Sequence, residues 1–198
     1  MEFDRVLRRR RMVRAYDASR PVPDAVLQAV LSAAVRAPSA GFTQGVSFLV
    51  LEDPEQRATY WQTTAQRETG WLRGLRTAPV LILFWTSRTA YLDRYAEPDK
   101  GWTERDEARW PAPFWYVDGG MAAMAALLQA VDAELGACFF GLPPDRVEAV
   151  REVFGVPADQ LSVGVVSLGY PDPAERRTGS AARRVRRPPE ELIHRDRW

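Results

Sequence analysis

The sequence predicts a single α+β or mixed α/β domain, in which helices pack against a small sheet. Its 198 residues fit one domain. Hydrophobic residues make up 46% of the chain, which is enough material for a core. Stretches with helical periodicity alternate with short apolar runs typical of buried strands, and no repeat or interdomain linker interrupts them. We therefore expect one folded unit over residues 1–198.

In the first half of the chain, apolar spacing predicts three helices and two strands. The first helix begins near Phe3 and ends near Arg10 or Arg11, and two more follow over residues 24–37 and 54–67. Pro38 ends the second helix, because a proline disfavours helical conformation in the residue before it. Apolar runs predict the strands at residues 46–51 and 80–85, and residues 12–23 and 38–45 are loops by composition.

The second half contains the longest predicted helix, over residues 118–135, and another over residues 144–154. Strands are predicted at residues 138–141 and 162–170. Residues 86–113 show no clean period, although they are rich in tyrosine and tryptophan. Beyond residue 170 the chain is rich in arginine and proline and has no helical stripe.

Composition excludes several kinds of site. Cys138 is the only cysteine and His194 the only histidine, so an internal disulfide, a Cys/His metal cluster and the usual Ser-His-Asp triad are not expected. Cys138 stands in an apolar run and is expected to be a buried packing residue. No signal-peptide pattern opens the chain, and the longest apolar run, residues 79–85, is too short to cross a bilayer. We expect a cytoplasmic protein with no metal and no membrane span.

Positive charge is concentrated at the two ends of the chain. Residues 1–20 carry seven arginines against three acidic residues, and residues 174–198 carry eight against four, while the middle is acidic. Lys100 is the sole lysine, so nearly every cation is a guanidinium group, which suits phosphate or carboxylate. Two basic ends around an acidic body predict one anion site built from both termini, or two arms that bind an acidic partner.

Three segments are candidates for function. The arginines at residues 8–11, with Arg14, indicate a solvated helix end, a nucleic-acid patch or a pocket for one phosphate; the nearly neutral chain argues against nucleic acid. The loop at residues 37–44 is either an ordinary turn or a place where small residues let the backbone approach a planar ligand, with Gln44 as donor and acceptor. Small residues in the helix that begins at Asp118 predict tight core or dimer packing.

The order of the motifs resembles that of the FMN-dependent nitroreductase family, over about residues 3–195. The matching positions are Arg10-Arg11-x-x-Arg14-x-Tyr16, Pro21-Val22-Pro23, Ala33-Ala34-x-x-Ala37-Pro38-Ser39-x-x-x-x-Gln44, Asp118-Gly119, Leu135-Gly136-Ala137-Cys138-x-x-Gly141, Leu168-Gly169-Tyr170-Pro171 and Arg184-x-Arg186-Arg187-Pro188-x-Glu190-Glu191. Each motif alone is unspecific, and their shared order carries the resemblance. It implies an α+β fold with a mixed sheet flanked by helices. It also implies an intertwined homodimer that exchanges a C-terminal arm, residues 183–198.

The resemblance further implies an FMN site at the subunit interface. The arginines of the two termini would meet on the phosphate, and the loop at residues 38–44 would line the isoalloxazine ring and the ribityl chain. Gly141 would lie near the reactive edge of the ring. Arg73 would lie near its pyrimidine side, where a cation favours the reduced ring, or would be a plain surface residue. The implied cofactor-binding residues are Arg10, Arg11, Met12, Arg14, Pro38, Ser39, Ala40, Phe42, Gln44, Arg73, Gly141, Arg184 and Arg186, with Arg187 if the register slips by one.

Two positions depart from the family pattern. Met12 stands where a serine or threonine usually helps to hold the phosphate, and Phe42 stands where an asparagine commonly binds the flavin. Losing one hydrogen bond to a charged group costs roughly 1.5–3 kcal/mol, which an arginine-rich pocket could offset. A Gly-Phe-x-Gln loop also occurs in the branch of the family that converts flavin to dimethylbenzimidazole, which leaves the reaction type open.

The implied activity is a hydride relay from NAD(P)H through the flavin to a flat acceptor such as a nitroaromatic or a quinone. No catalytic side chain is needed, because the cofactor supplies the chemistry and the protein orients it. The aromatic segment 91–116 would either cover the flavin or pack the dimer. The alternatives are a flavin-dependent oxidase or dehydrogenase of a biosynthetic intermediate, a flavin- or deazaflavin-binding protein without turnover, and a basic-armed nucleic-acid binder.

Overall fold

Eight α-helices and four strands make up the part of the chain described by a computed structural model, residues 1–64, 69–176 and 180–198. The helices are α1 (Phe3–Arg9), α2 (Asp24–Val35), α3 (Pro54–Thr64), α4 (Gly70–Leu75), α5 (Arg88–Ala96), α6 (Phe114–Asp132), α7 (Val147–Phe154) and α8 (Ser180–Arg183). The strands are β1 (Val46–Leu51), β2 (Val80–Ser87), β3 (Gly136–Phe140) and β4 (Gln160–Gly169). Short 3₁₀ turns lie at Ala40–Phe42, Glu107–Arg109, Pro144–Arg146 and Pro189–Glu191.

The four strands form one sheet in the order β1-β2-β4-β3, and every neighbouring pair is antiparallel. Leu83 in the middle of β2 pairs with Leu49 of β1 on one side and with Val165 of β4 on the other. Parallel pairing enters at the outer edge of β3, where Met12 forms an isolated bridge with Ala137. The predicted α+β class is confirmed.

Helices cover both faces of the sheet, because successive side chains of a strand point to opposite sides. The even-numbered residues of β2, such as Ile82, pack with α2 and α6, and we call this side the α6 face. Odd-numbered residues such as Leu83 pack with α3, α4 and α7 on the opposite side, the α3 face. All of β2 is buried, which explains its nearly continuous apolar sequence.

Helix α6 is the one helix among the described residues that is long and apolar enough to cross a membrane, judged by length and composition alone. Half of that stretch is buried inside the protein. Its small residues Ala122, Ala126 and Ala130 belong to the core of the α6 face, where they let α2 pack closely. The search for uninterrupted apolar runs did not identify this helix as a possible membrane span. Its packing against the sheet and α2 is that of a core helix.

The predicted elements agree with the structure in the main, and the differences lie at the ends of elements and in three short helices. Helix α6 begins four residues earlier than predicted, and α2 ends at Val35, before Pro38. The predicted tail of α3, residues 65–67, lies outside the described residues. Helices α4, α5 and α8 were not predicted. Helices α4 and α5 each begin at a side-chain cap: Thr69 accepts a hydrogen bond from the Leu72 backbone N–H, and Ser87 from that of Ala90.

Candidate functional site

The N-terminal arginine segment lies along the outer edge of β3. Besides the bridge at Met12, the Val13 backbone N–H donates to the Ala137 carbonyl at 2.9 Å. The Met12 sulfur accepts a contact from the Phe139 backbone N–H at 3.4 Å, and the side chain packs against both cores. The structure therefore gives Met12 a packing role at the sheet edge, which explains an apolar residue where the family pattern has a hydroxyl.

An acidic residue that no motif pointed to lies among these arginines. Glu175 forms an ion pair with Arg11, and its second oxygen accepts the Arg14 backbone N–H at 3.3 Å. The Glu175 side chain is only 6% exposed, whereas that of Arg11 is 30% exposed. Arg10 and Arg14 are half-buried beside them. Glu175 thus fixes the arginine segment and neutralises part of its charge.

Helix α4 packs against the backbone of the arginine segment. A Cβ on Gly74 would overlap the Arg14 carbonyl oxygen, so glycine is what allows this approach. The Thr77 hydroxyl, just after α4, accepts a hydrogen bond from the Tyr16 backbone N–H at 2.8 Å. Arg73 lies on the exposed side of α4. The structure therefore brings the helix that carries Arg73 beside Arg14.

Gly141 follows directly after β3 and is exposed, with no atom within 4 Å of where its Cβ would be. It lines a cavity of about 230 Å³ on the α3 face. Four aromatic rings also line this cavity, and two of them, Trp61 and Phe140, stack with their centroids 6.0 Å apart. Trp71 meets Phe140 edge-on at 5.9 Å. Open, flat and apolar surroundings of this kind suit a planar ligand.

The loop at residues 38–44 lies on the other side of the sheet, the α6 face. Pro38, Ser39 and Gln44 line a cavity of about 170 Å³ together with Asp118 of α6. The Asp118 carboxylate accepts a hydrogen bond from the Ala40 backbone N–H at 2.8 Å. No sequence motif assigned Asp118 more than a place in a packed helix, although a carboxylate within a Gly- and Ala-rich apolar helix was a usable signal, since buried acids need partners.

The same loop has a strained backbone. Phe42 and Gln44 have φ angles of 56° and 55°, in the left-handed region, next to Gly41 at 62°. Such a conformation costs a non-glycine residue of order 1–3 kcal/mol and persists only where the surroundings hold it. Phe42 is 75% exposed despite its size, so the loop displays an aromatic ring on a constrained turn.

The aromatic segment 91–116 packs on itself and against this loop. Trp110 lies at its centre, with ring centroids 4.4 to 6.2 Å from those of its neighbours Tyr91, Tyr95, Trp102, Phe114 and Trp115. Burial, and then the hydrogen bond to the Asp118 carboxylate, raise the pKa of Tyr91, so its hydroxyl stays protonated and donates to that carboxylate at 2.7 Å. The segment thus supports the loop within one copy of the chain.

The structure divides the predicted site residues into three groups. The arginines at 10–14, Arg73 and Gly141 are associated with the α3 face and the β3 edge, and the loop at 38–44 with the α6 face. Arg184, Arg186 and Arg187 are exposed in the C-terminal arm, where Arg187 pairs with Glu191 at 3.0 Å. No hydrogen bond or ion pair among the described residues joins these arm arginines to the N-terminal ones. One copy of the chain therefore does not bring the whole predicted set together.

The sheet thus lies between two helical layers, with the arginine segment at its β3 edge and the small-residue loop on the α6 face. Residues 7–170 match the model of the Nitroreductase family. The chain belongs to this family, as the order of its motifs indicated.

Relatives match over nearly the whole chain. A protein of Archaeoglobus fulgidus, provisionally named NADH dehydrogenase/NAD(P)H nitroreductase, is 28% identical over 96% of this chain and 94% of its own length. An NADH dehydrogenase of Thermus thermophilus is 28% identical over 82% of this chain and 83% of its own. A crystal structure from Desulfovibrio desulfuricans, provisionally named a nitroreductase and solved in complex with FMN, superposes with a TM-score of 0.73 at 23% identity. The superposition covers 100% of this chain and 98% of the Desulfovibrio chain.

Proposed function

We propose that this chain is a homodimeric, cytoplasmic FMN-dependent oxidoreductase that relays hydride from NAD(P)H to a flat acceptor such as a nitroaromatic or a quinone. The proposal depends on one observation: the arginine segment at the β3 edge packs against α4, the helix that carries Arg73. The chain also belongs to a family of oxidoreductases. The two curated relatives named above are named for NADH or NAD(P)H, and the Desulfovibrio structure contains FMN. These names support the choice of cofactor and hydride donor.

The residues present fit a flavin mononucleotide. Arg11 and Arg14 are half-buried cations, and guanidinium groups bind a phosphate monoester through paired hydrogen bonds. The open space over Gly141 leaves room for a ring edge near its backbone. When bound, the flavin supplies a ring that accepts and donates hydride. The chain supplies the cations that anchor it, the backbone groups that orient it and the cation at Arg73.

A second copy of the chain would complete the site. The loop at 38–44 and the arginine segment are on different sides of the sheet, so a ligand that touches both needs one of them from the partner. Helix α6 exposes an apolar stripe of Val117, Met121 and Met124, three residues spaced to share one helix face. Exposed apolar stripes of this kind mark protein interfaces. Leu192, Ile193 and Trp198 of the arm are also exposed, which supports an arm that packs on the partner.

The test separates the phosphate contacts from the rest of the site. Arg14→Ala and Arg186→Ala should each weaken FMN binding by about ten- to hundredfold, the effect of losing a hydrogen bond to a charged group. Riboflavin, which lacks the phosphate, should bind these variants as it binds the wild type. Arg88→Ala is the matched control, because Arg88 is an exposed arginine paired with Glu107. Full FMN affinity in both variants would remove the phosphate site, and a colourless protein as purified would argue against the cofactor.

A flavin-dependent oxidase or dehydrogenase is the second candidate, because the Gly41-Phe42-Thr43-Gln44 loop resembles that of the family branch with a different reaction. Steady oxidation of NADPH with menadione as acceptor would support the reductase. Oxygen-dependent oxidation of an organic substrate without nicotinamide would support the oxidase. A yellow protein that stays oxidised with NADPH in the absence of air would instead be a binding protein without turnover.

A further inference from the structure

We infer that Asp118 is a positioning residue for the loop at residues 38–44, together with Tyr91 and Arg94. These residues act on ring binding through the loop rather than by touching the ligand. The inference rests on the proposed function, in which this loop lines the flavin ring and the ribityl chain.

Two anchors hold adjacent residues of the loop. One oxygen of Asp118 accepts both the Ala40 backbone N–H at 2.8 Å and the Tyr91 hydroxyl at 2.7 Å. Asp118 is 2% exposed and Tyr91 fully buried, so water does not compete for these bonds. At the next residue, the Arg94 Nε–H donates to the Gly41 carbonyl at 2.9 Å. Asp99 fixes the Arg94 guanidinium from its other side, with bonds of 2.7 and 2.8 Å.

The loop needs such anchors because its backbone is strained at Phe42 and Gln44. Its internal hydrogen bonds, such as that from the Gln44 backbone N–H to the Ser39 hydroxyl at 3.0 Å, close the turn but do not attach it to the body of the protein. The attachment comes from Asp118 on α6 and Arg94 on α5. Without them the loop would be free to relax to an unstrained conformation, and the surface it offers a ligand would change.

The aromatic segment supplies the matching shape. A Cβ on Gly41 would lie 2.7 Å from the Tyr95 ring, and one on Gly45 would lie 2.5 Å from the Tyr91 ring. Glycine at positions 41 and 45 therefore allows the backbone to pack directly against these two rings. The loop is therefore supported in two ways. Its polar contacts come from Asp118, Tyr91 and Arg94, and its apolar contacts come from the ring cluster around Trp110.

The decisive measurement compares the dissociation constants of FMN and riboflavin, by titration of the flavin-free full-length protein. Asp118→Ala should raise both constants by the same factor of about tenfold, because the loop meets the part that the two flavins share. Asp118→Asn keeps an oxygen that accepts from Ala40 and should stay within about twofold of wild type. Arg14→Ala should raise the constant for FMN alone.

Two further variants separate positioning from stability. Arg94→Met removes the second anchor at a partly exposed site, and should raise both constants by about threefold even if Asp118→Ala does not fold. Its control is Asp99→Asn, which removes the charge of one carboxylate partner of Arg94 and leaves both Glu97 and the bond to Gly41 in place. Asp53→Ala removes a carboxylate that caps α3, on the opposite side of the sheet from the loop, and should lower the melting temperature without changing either constant.

Unchanged constants in Asp118→Ala and in Arg94→Met, with a wild type that binds both flavins, would overturn the inference and leave the proposed function intact. The inference would also fail if Asp118→Asn behaved like Asp118→Ala, since the carboxylate charge rather than the bond to the loop would then matter. A wild type that binds neither flavin would overturn the proposed function and this inference with it.

Discussion

The thiol of Cys138 is enclosed in the core of the α3 face, where the side chain is 1% exposed. Burial raises the pKa of this thiol, and the reactive thiolate is therefore disfavoured. We expect iodoacetamide to leave the native protein unlabelled at pH 8 and to label it fully in guanidinium chloride, as followed by mass spectrometry. Rapid labelling of the native protein would show that the sheet opens at β3, or that the thiol is activated.

Single residues differ in how far the sequence alone determines their role. The burial of Cys138 could be predicted, because its neighbours in the chain are apolar. The pairing of Asp118 with Ala40 could not, since the two are 78 positions apart and meet only when α6 packs beside the loop. Glu175 was missed for the same reason: it lies 164 positions from Arg11, and nothing in its spacing distinguishes it from the other three acidic residues of the basic tail.

At the level of the element, Gly74 sets how closely α4 packs on the arginine segment. Alanine favours helix over glycine by about 1 kcal/mol, so propensity alone would stabilise Gly74→Ala. The added methyl would overlap the Arg14 carbonyl oxygen, and backbone cannot move aside as a side chain can. We expect the cost of this overlap to exceed the gain in helix propensity. Gly74→Ala should therefore lower the free energy of unfolding by about 1–3 kcal/mol, as measured in urea.

Gly70 provides the matched control for this prediction. It begins the same helix, and nothing lies within 4 Å of its Cβ position. Gly70→Ala should therefore be neutral or slightly stabilising, and flavin affinity should fall only in Gly74→Ala, because only there does α4 move away from Arg14. Equal stabilisation by both substitutions would mean that α4 does not press on the arginine segment.

The elements most easily predicted were those with a strong apolar period. Helix α2, strand β2 and most of α6 follow from their buried faces. Helices α4 and α5 were missed because they are short and carry arginines and aromatic rings in place of an aliphatic stripe. Their caps, Thr69 and Ser87, were visible in the sequence, but a capping residue without a period predicts a turn as readily as a helix.

At the scale of the whole molecule, the C-terminal arm is expected to join two copies of the chain. Deleting residues 183–198 should weaken both the dimer and FMN binding, because it removes Arg184, Arg186 and the exposed apolar residues of the arm. Sedimentation velocity over a range of concentrations would measure the first effect, and flavin content the second. A truncated protein that stays dimeric and fully coloured would show that the arm serves neither purpose.

The stability of the whole molecule should fall in alkali. Burial raises the pKa of Tyr16, Tyr60 and Tyr91 above the ordinary value, so the folded protein holds these protons where the unfolded chain releases them. The stabilisation is therefore complete below the unfolded pKa of about 10 and is lost as the pH rises above it. Urea unfolding at pH 8, 9, 10 and about 11 should show this decline. Tyr60→Phe should make the decline shallower, and an identical slope would contradict the assignment.

The α+β class followed from the alternation of helical and strand patterns, but the distribution of the predicted site residues over the molecule did not. Strand order depends on long-range pairing, and β4 lies between β2 and β3 although it comes last in the chain. The separation of the loop at 38–44 from the arginine segment follows from that order. The predicted site residues therefore form two separate surfaces in one copy of the chain, and the proposed dimer would bring these surfaces together.

The cluster around Trp110 also gives the protein an optical property. The ring centroids of Trp102 and Trp115 lie 5.4 and 6.2 Å from that of Trp110. The cluster also packs against the turn at Gly41. Indole emission overlaps the absorption band of an oxidised isoalloxazine, so excitation energy should pass from the cluster to a ring bound nearby and dim the ultraviolet fluorescence. Intrinsic tryptophan fluorescence should therefore report how much of the protein has flavin bound, without any added label.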